Sequence, residues 1–101
     1  MKSKKTAVAE DDIGRDIRLE LFRMQLELRL CEKRAFDLFL QNMIKGTSHL
    51  SLGQEAIAAA FGVAMRPDDY TFCTYRGHAH TLARGASMSG VLGELMGREC
   101  G

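Results

Sequence analysis

Tyr75 and Arg76 form the part of this sequence whose residue types are best suited to chemistry. They end a short aromatic and β-branched run, residues 70–74, and Gly77 follows at once. A guanidinium and a phenol at a strand end, beside free backbone N–H groups, can bind an anion such as a diphosphate. An isolated Tyr-Arg pair more often lies on the surface without a ligand. Ligands of open α/β sheets bind at the carboxyl ends of strands, so this position favours a binding role.

Three histidines are the other candidates. His78 and His80 would point about 200° apart on a helix, so they could not share one metal ion. Each is interpreted as a substrate-contacting imidazole or as a side chain that is satisfied locally. His49 lies in a glycine-bounded loop, residues 46–53, where it could contact a carboxylate or relay a proton. An ordinary exposed loop histidine is the alternative.

Composition excludes several classes of protein. With 14 basic and 13 acidic residues and no long block of like charge, a nucleic-acid partner is not expected. The longest apolar stretch, Ala56–Met65, is too short to span a bilayer, so no membrane partner is expected. Three cysteines without a CxxC spacing argue against a disulfide framework. From them we predict a reducing, cytoplasmic location.

A long amphipathic helix is the first element that must position these residues. Residues 1–15 are polar and aperiodic, which predicts a flexible tail. From Asp16 to Ile44 two apolar rows recur at steps of three and four without Gly or Pro, which predicts one helix buried against more than one neighbour. Asp16 is the predicted N-cap and Gly46 the predicted stop.

The remaining pattern predicts one strand and three shorter helices. Residues 70–74 do not alternate, which is typical of a strand buried on both faces. Ser51 and Gln54 fit a capping box, and Ser87 fits an N-cap. A lone parallel-type strand needs partner strands, so we predict an α/β fold that is mostly helical in this part. The shorter helices are expected at residues 51–65, 77–84 and 88–97.

Three motifs resemble one known family. They are the runs at residues 49–56, 66–70 and 74–80. Together they are similar to the α subunit of thiamine-diphosphate-dependent 2-oxo acid dehydrogenases, the decarboxylating component of pyruvate and acetoin dehydrogenase complexes. The resemblance identifies residues 16–101 as the N-terminal, incomplete part of that subunit's thiamine-diphosphate-binding domain, whose fold contains a central parallel sheet.

The resemblance also implies roles for individual residues. Tyr75 and Arg76 match the pair that contacts the diphosphate of the cofactor. His49 matches a histidine on the substrate side of the pocket, and His78 matches one near its mouth, so both are expected to bind substrate. No catalytic residue and no metal ligand is matched: the magnesium ligands are expected beyond residue 101, and the activating glutamate belongs to the β subunit.

The implied function is oxidative decarboxylation of a pyruvate-like 2-oxo acid, or cleavage of acetoin, with transfer of the acyl group to a lipoyl acyltransferase. A β subunit would complete a heterotetramer, and this segment alone is expected to be inactive. Two other interpretations stay open. One is a non-catalytic helical module for subunit assembly, and the other is a histidine-based metal-binding domain that would contain stoichiometric zinc.

Overall fold

The long first helix is present, although its ends differ from those predicted. The computed structural model describes residues 12–46 and 48–101, so most of the predicted tail, up to residue 11, lies outside the described part. Helix α1 spans Arg15–Leu40. The predicted capping by Asp16 is wrong: Gly14 takes the N-cap position, and Asp16 lies in the first turn. Asp12 stabilises this start by accepting a hydrogen bond from the Gly14 N–H.

An asparagine, not a glycine, ends α1. Asn42 adopts a left-handed φ of 61°, a conformation that asparagine tolerates better than most residues. The Met43 N–H then donates to the Leu38 carbonyl at 2.9 Å, and the Asn42 N–H donates to the Phe39 carbonyl at 3.0 Å. This is a Schellman motif, which satisfies carbonyls of the last helical turn. The helix therefore ends before the predicted stop at Gly46.

Three shorter helices follow, and the last two confirm the sequence pattern. Ser87 caps the final helix as predicted, because its side chain accepts a hydrogen bond from the Gly90 N–H at 3.0 Å. Gly85, with a φ of 107°, ends the helix before it in the left-handed conformation expected of a stop signal. The bounds are Glu55–Ala64 for α2, His78–Ala83 for α3 and Met88–Leu95 for α4.

The capping box predicted for α2 is wrong. A turn forms instead, in which the Gln54 N–H donates to the Ser51 carbonyl at 2.8 Å, and the helix begins only at Glu55. Both carboxylate oxygens of Glu55 lie within 3.1 Å of the Gly53 N–H. A glutamate of the first turn therefore satisfies the free backbone N–H of Gly53, and the Gln54 N–H is satisfied by the Ser51 carbonyl and not by its side chain.

The predicted strand at residues 70–74 is also wrong, since the described residues are helix and loop only. Tyr70 is 88% exposed and Phe72 is 93% exposed. A strand exists only through hydrogen bonds to a neighbouring strand, and the described part of the chain supplies none. The segment is a loop here, and the central parallel sheet stays a prediction.

Alanines build the core where α2 packs between α1 and α3. Close approach of the helices follows from these small side chains. Only one of the two apolar rows on α1 is covered, however, since Phe22 remains 65% exposed and Leu30 54% exposed. No described helix is both long and apolar enough to cross a bilayer. The buried residues of this cluster are Leu28, Ala58, Ala59, Ala79 and Ala83.

A second cluster joins the C-terminal half of α1 to α4. Ala35, Leu38 and Ile44 are buried there, and the leucines of α4 pack against them. The chain after α1 folds back so that Leu50 joins the same cluster. The two clusters thus hold α2, α3 and α4 against α1.

Candidate functional site

Three of the predicted site residues meet in space. The rings of His49 and Tyr75 lie 4.4 Å apart between centroids, tilted by 54°. The guanidinium carbon of Arg76 lies 5.9 Å from the centroid of the Tyr75 ring, which is within the range of a cation–π contact. A loop between α1 and α2 and a loop between α2 and α3 therefore converge on the tyrosine.

A cavity of about 330 Å³ opens beside this cluster. Tyr75 and Arg76 line it. His49 is not among the lining residues, but it packs against the Tyr75 ring. A guanidinium, a phenol and an amide around one cavity provide donors for an anionic ligand. The other lining residues come from α2, α3 and both loops: Ser51, Gln54, Ile57, Ala58, Phe72, Cys73, Thr74, Ala79 and His80.

The loop that carries Tyr75 and Arg76 is held at both ends. The Arg84 guanidinium donates to the Asp69 carbonyl at 2.6 Å, and the Thr81 hydroxyl donates to the Gly77 carbonyl at 2.8 Å. A Cβ at Gly77 would lie 2.9 Å from the Cys73 sulfur, closer than such atoms approach. A larger residue at this position would therefore require the Cys73 side chain to move, since the loop passes close to its own earlier residue.

His78 lies apart from this cluster. Its Nδ1 faces the Oε1 of Glu32 at 3.7 Å, which is too long for a hydrogen bond but close enough for an ion pair when the imidazole is protonated. The pKa of His78 is raised, mainly by the Glu32 carboxylate and to a smaller extent by Glu94. Burial of the ring acts in the opposite direction and lowers the pKa. The structure thus turns one ring nitrogen of His78 towards α1.

Glu32 was missed by the sequence reasoning, although the sequence contains a signal for it. It is 1% exposed and stands at steps of four and three from Leu28 and Ala35, in the buried row of α1. A carboxylate among apolar residues at helical spacing indicates a buried polar group, and such groups need partners. Its Oε2 accepts a hydrogen bond from the Ser51 N–H at 3.3 Å.

A second pair fixes the start of α2. Arg29 of α1 donates to both carboxylate oxygens of Glu55, at 2.8 and 3.0 Å. These bonds are the main reason why the pKa of Glu55 is lowered to about 2. The hydrogen bond from the Gly53 N–H lowers the pKa further, whereas burial raises it. The bidentate contact anchors the end of the His49 loop to α1.

We expect Glu55→Gln to lower the free energy of unfolding by about 1–3 kcal/mol at pH 7, because a hydrogen-bonded charge pair is lost. Since the folded-state pKa lies below the ordinary value of 4.5, this stabilisation is present above that value. It is lost as the pH falls towards 2. Denaturant unfolding of both proteins across this range should show the difference shrinking in acid.

Glu20→Gln is the matched control, because Glu20 pairs with Arg23 on the surface of α1 at 2.6 Å. An exposed pair of this kind contributes little to stability, because water and salt screen it. An equal loss in both variants, or a constant difference between pH 7 and pH 3, would contradict the assigned role of Glu55.

No group of three or more His, Cys, Asp or Glu side chains that could hold a metal ion occurs in the described ranges. His78 faces a carboxylate of α1, and His80 lines the cavity beside Arg76. The two histidines thus have separate surroundings, as their spacing on a helix predicted.

The chain is similar to known proteins along most of its length. The family model described as "Dehydrogenase E1 component" matches residues 22–101. The mitochondrial pyruvate dehydrogenase E1 component subunit alpha of Schizosaccharomyces pombe is 40% identical over 83 residues, which are 82% of this chain and 20% of that protein. The human somatic form, also mitochondrial, is 37% identical over 89 residues, 88% of this chain and 23% of that protein.

A bacterial relative is named for a different substrate. The alpha subunit of acetoin:2,6-dichlorophenolindophenol oxidoreductase from Bacillus subtilis is 32% identical over 83 residues, 82% of this chain and 25% of that protein. The chain thus spans about a fifth to a quarter of the length of these relatives. No solved structure gives a significant match.

These relatives overturn the cytoplasmic location predicted from the cysteines. The yeast and human proteins are named as mitochondrial. Unpaired cysteines exclude only an oxidising compartment, and they do not distinguish one reducing compartment from another. The inference from cysteine number was therefore wrong because it was drawn too narrowly.

Proposed function

Because this chain belongs to the dehydrogenase E1 component family, we propose that it supplies the diphosphate-binding side of a thiamine-diphosphate site. The enzyme is an oxidoreductase that decarboxylates a pyruvate-like 2-oxo acid or cleaves acetoin. The single observation that carries the proposal is the convergence of Arg76, Tyr75 and His49 beside one cavity. The names of the relatives support both substrates.

The residues present fit a diphosphate. Arg76 lines the cavity and offers paired N–H donors in the planar geometry that phosphoryl oxygens accept. Tyr75 adds a phenol to the same lining, and its contact with Arg76 holds the guanidinium beside the ring. Tyr75 is 68% exposed, so a ligand can reach both side chains without a rearrangement of the core.

His49 is proposed as the contact to the substrate. Its ring packs on Tyr75 at 4.4 Å, so it lies one side chain away from the proposed diphosphate ligands. A neutral imidazole donates one N–H and accepts at the other nitrogen, which suits it to the carboxylate or the ketone oxygen of a 2-oxo acid. His78 stays a predicted substrate contact, through Nε2, because its Nδ1 faces Glu32.

The remaining parts of the enzyme are proposed from the family. Bound thiamine diphosphate supplies the electron sink for decarboxylation. A β subunit completes the site, and a lipoyl acyltransferase receives the acyl group. Magnesium accompanies the diphosphate, with ligands in the part of the family fold that this chain does not span. The protein's own contribution is to hold the diphosphate and to orient the substrate.

A role in subunit assembly is a second candidate, favoured by the exposed apolar row of α1. Phe22 and Leu30 belong to this row, and more than half of each side chain is exposed. An assembly module without catalysis would keep this surface and would bind no thiamine diphosphate. Binding of the cofactor therefore separates the two candidates.

We expect the complete α subunit, assembled with its β subunit, to bind thiamine diphosphate and to release carbon dioxide from a 2-oxo acid. Thiamine without its diphosphate is the matched ligand control, and it should bind at least about tenfold more weakly because it lacks the anionic group. His49→Asn should raise the KM for the 2-oxo acid about tenfold while the Kd for the cofactor stays unchanged. Calorimetry and steady-state kinetics measure the two quantities separately.

Two outcomes would contradict this proposal. Equal affinity for thiamine and thiamine diphosphate would remove the diphosphate site from Tyr75 and Arg76. A change in cofactor affinity in His49→Asn, with no change in KM, would move His49 from the substrate to the cofactor.

A further inference from the structure

Glu32 connects the two loops that build the proposed site. It is a charged residue in the buried row of the longest helix, and it is 1% exposed. A carboxylate loses its hydration there, which costs several kcal/mol unless partners replace the water. An apolar residue of similar size would avoid that cost at this position. What the carboxylate contacts should therefore explain its presence.

Its two oxygens contact two different segments. Oε2 accepts a hydrogen bond from the Ser51 N–H at 3.3 Å, and Ser51 is two residues after His49. Oε1 faces Nδ1 of His78 at 3.7 Å, and His78 is two residues after Arg76. One side chain thus links the loop that presents the substrate contact to the loop that presents the diphosphate ligand.

The distance between the Glu32 carboxylate and the His78 ring can still shorten. Glu32 Oε1 and His78 Nδ1 are both buried, and neither has a hydrogen-bond partner within the described part of the chain. A buried donor and acceptor that face each other over 3.7 Å gain a hydrogen bond if the loop closes by less than an ångström. Such a closure would move α3 and the preceding Arg76 towards α1.

We propose that Glu32 is a positioning residue, whose carboxylate sets the distance between the His49 loop and the Tyr75–Arg76 loop through Ser51 and His78. This inference rests on the proposed function for what the two loops bind. The link between the loops does not depend on it, since Glu32, Ser51 and His78 all belong to the described chain. Neither the family match nor the names of the relatives assign a role to Glu32.

Protonation of His78 should strengthen the contact between His78 and Glu32. The charged groups that act on His78 are Glu32 from α1 and Glu94 from α4, and both raise its pKa. The imidazolium form pairs with the carboxylate, and it is fully present at pH values below 6.5, the ordinary pKa of histidine. It is lost as the pH rises through the raised pKa of the folded state. As the pH rises, the His49 loop and the Tyr75–Arg76 loop should therefore be held less firmly relative to each other.

Glu32→Gln tests the inference, because glutamine keeps an acceptor for the Ser51 N–H and loses the charge that faces His78. Ring signals of His49 and His78, assigned in the ¹³C-labelled α subunit, report directly. We expect the pKa of His78 to fall and the ring signals of His49 to shift, because the loop moves relative to Tyr75. In the assembled enzyme, affinity for thiamine diphosphate should fall about tenfold, the effect of one charge-assisted contact.

The pH profile separates positioning from general stability. Unsubstituted enzyme should lose diphosphate affinity as the pH rises through the pKa of His78, and Glu32→Gln should lack most of this dependence. Glu27→Gln is the matched control on the exposed side of α1, where Glu27 pairs with Arg23 at 2.5 Å. It should leave the His78 pKa, the His49 signals and the affinity unchanged. If Glu32→Gln fails to fold, His78→Asn tests the same link from α3, with the same expected loss of affinity and of pH dependence.

The proposal is overturned if Glu32→Gln leaves the His78 pKa unchanged, or if that pKa falls while the His49 signals and the cofactor affinity stay as in Glu27→Gln. Failure of the proposed function gives a different result. The unsubstituted enzyme would then bind no thiamine diphosphate, and the histidine signals alone would decide whether Glu32 aligns the two loops.

Discussion

Arg76→Ala is expected to weaken thiamine diphosphate binding in the assembled enzyme about tenfold to a hundredfold. A charge-assisted contact to a phosphoryl group contributes about 1.5–3 kcal/mol, which corresponds to that range in Kd. The side chain lines the cavity and contacts the Tyr75 ring, but it is not part of either buried cluster. Its loss should therefore lower cofactor affinity with little effect on the thermal midpoint of unfolding. Calorimetric titration with thiamine diphosphate measures the change.

Arg66→Ala is the matched control, since Arg66 is an exposed arginine of the same connecting loop and does not line the cavity. It should leave the Kd within about twofold, as expected of a surface substitution. Arg76→Lys should lie between the two, because lysine keeps the charge and loses the planar pair of donors. An unchanged Kd in Arg76→Ala would remove this residue from the diphosphate site.

Gly62→Val is expected to lower the free energy of unfolding by about 1–3 kcal/mol, the usual cost of overpacking a tight contact. A Cβ at Gly62 of α2 would lie 2.7 Å from both the Cβ and the carbonyl oxygen of Ala83 in α3. Backbone atoms of a packed helix cannot move aside as a flexible side chain can, so the two helices must separate. Valine gains about 0.4 kcal/mol over glycine in helix propensity, which is too little to offset the clash.

Thermal unfolding measures this effect, and a fall of about 5–20 °C in the midpoint is expected for a domain of this size. Ala60→Val is the matched control, because Ala60 is exposed on the same helix and bears the same β-branched side chain after substitution. It should cost about 0.5 kcal/mol from propensity alone. Similar midpoints for both variants would show that α2 and α3 do not pack as closely as described.

Local signals explain which helices were predictable. Ser87 caps α4 through a bond to a residue three positions away, and Gly85 ends α3 in a conformation that glycine adopts freely. The periodicity of α1 likewise follows from its own residues. In all three cases the interacting groups are close in sequence, so the pattern of residue types contains the information.

The errors concern partners that are distant in sequence. Residues 70–74 have strand-forming side chains, but a strand needs a neighbour, and the described residues form none around it. Around the misplaced start of α2, the Ser51 N–H bonds to Glu32, nineteen residues earlier. Glu55 is likewise held by Arg29, twenty-six residues away. Propensity and capping rules include no such long-range contacts.

Residue types and spacing along the chain determined that four helices form and where α3 and α4 lie, because these features depend on neighbours in sequence. The resemblance of three motifs indicated the family, and Tyr75 and Arg76 stay predicted ligands. Only the tertiary structure decided that His49 packs on Tyr75 while His78 turns towards α1. It also decided that the buried carboxylate of Glu32 lies between their loops. The physical reason is that burial and ion pairing depend on which helices pack together, and the packing of α1 against α2 and α3 is a property of the whole chain.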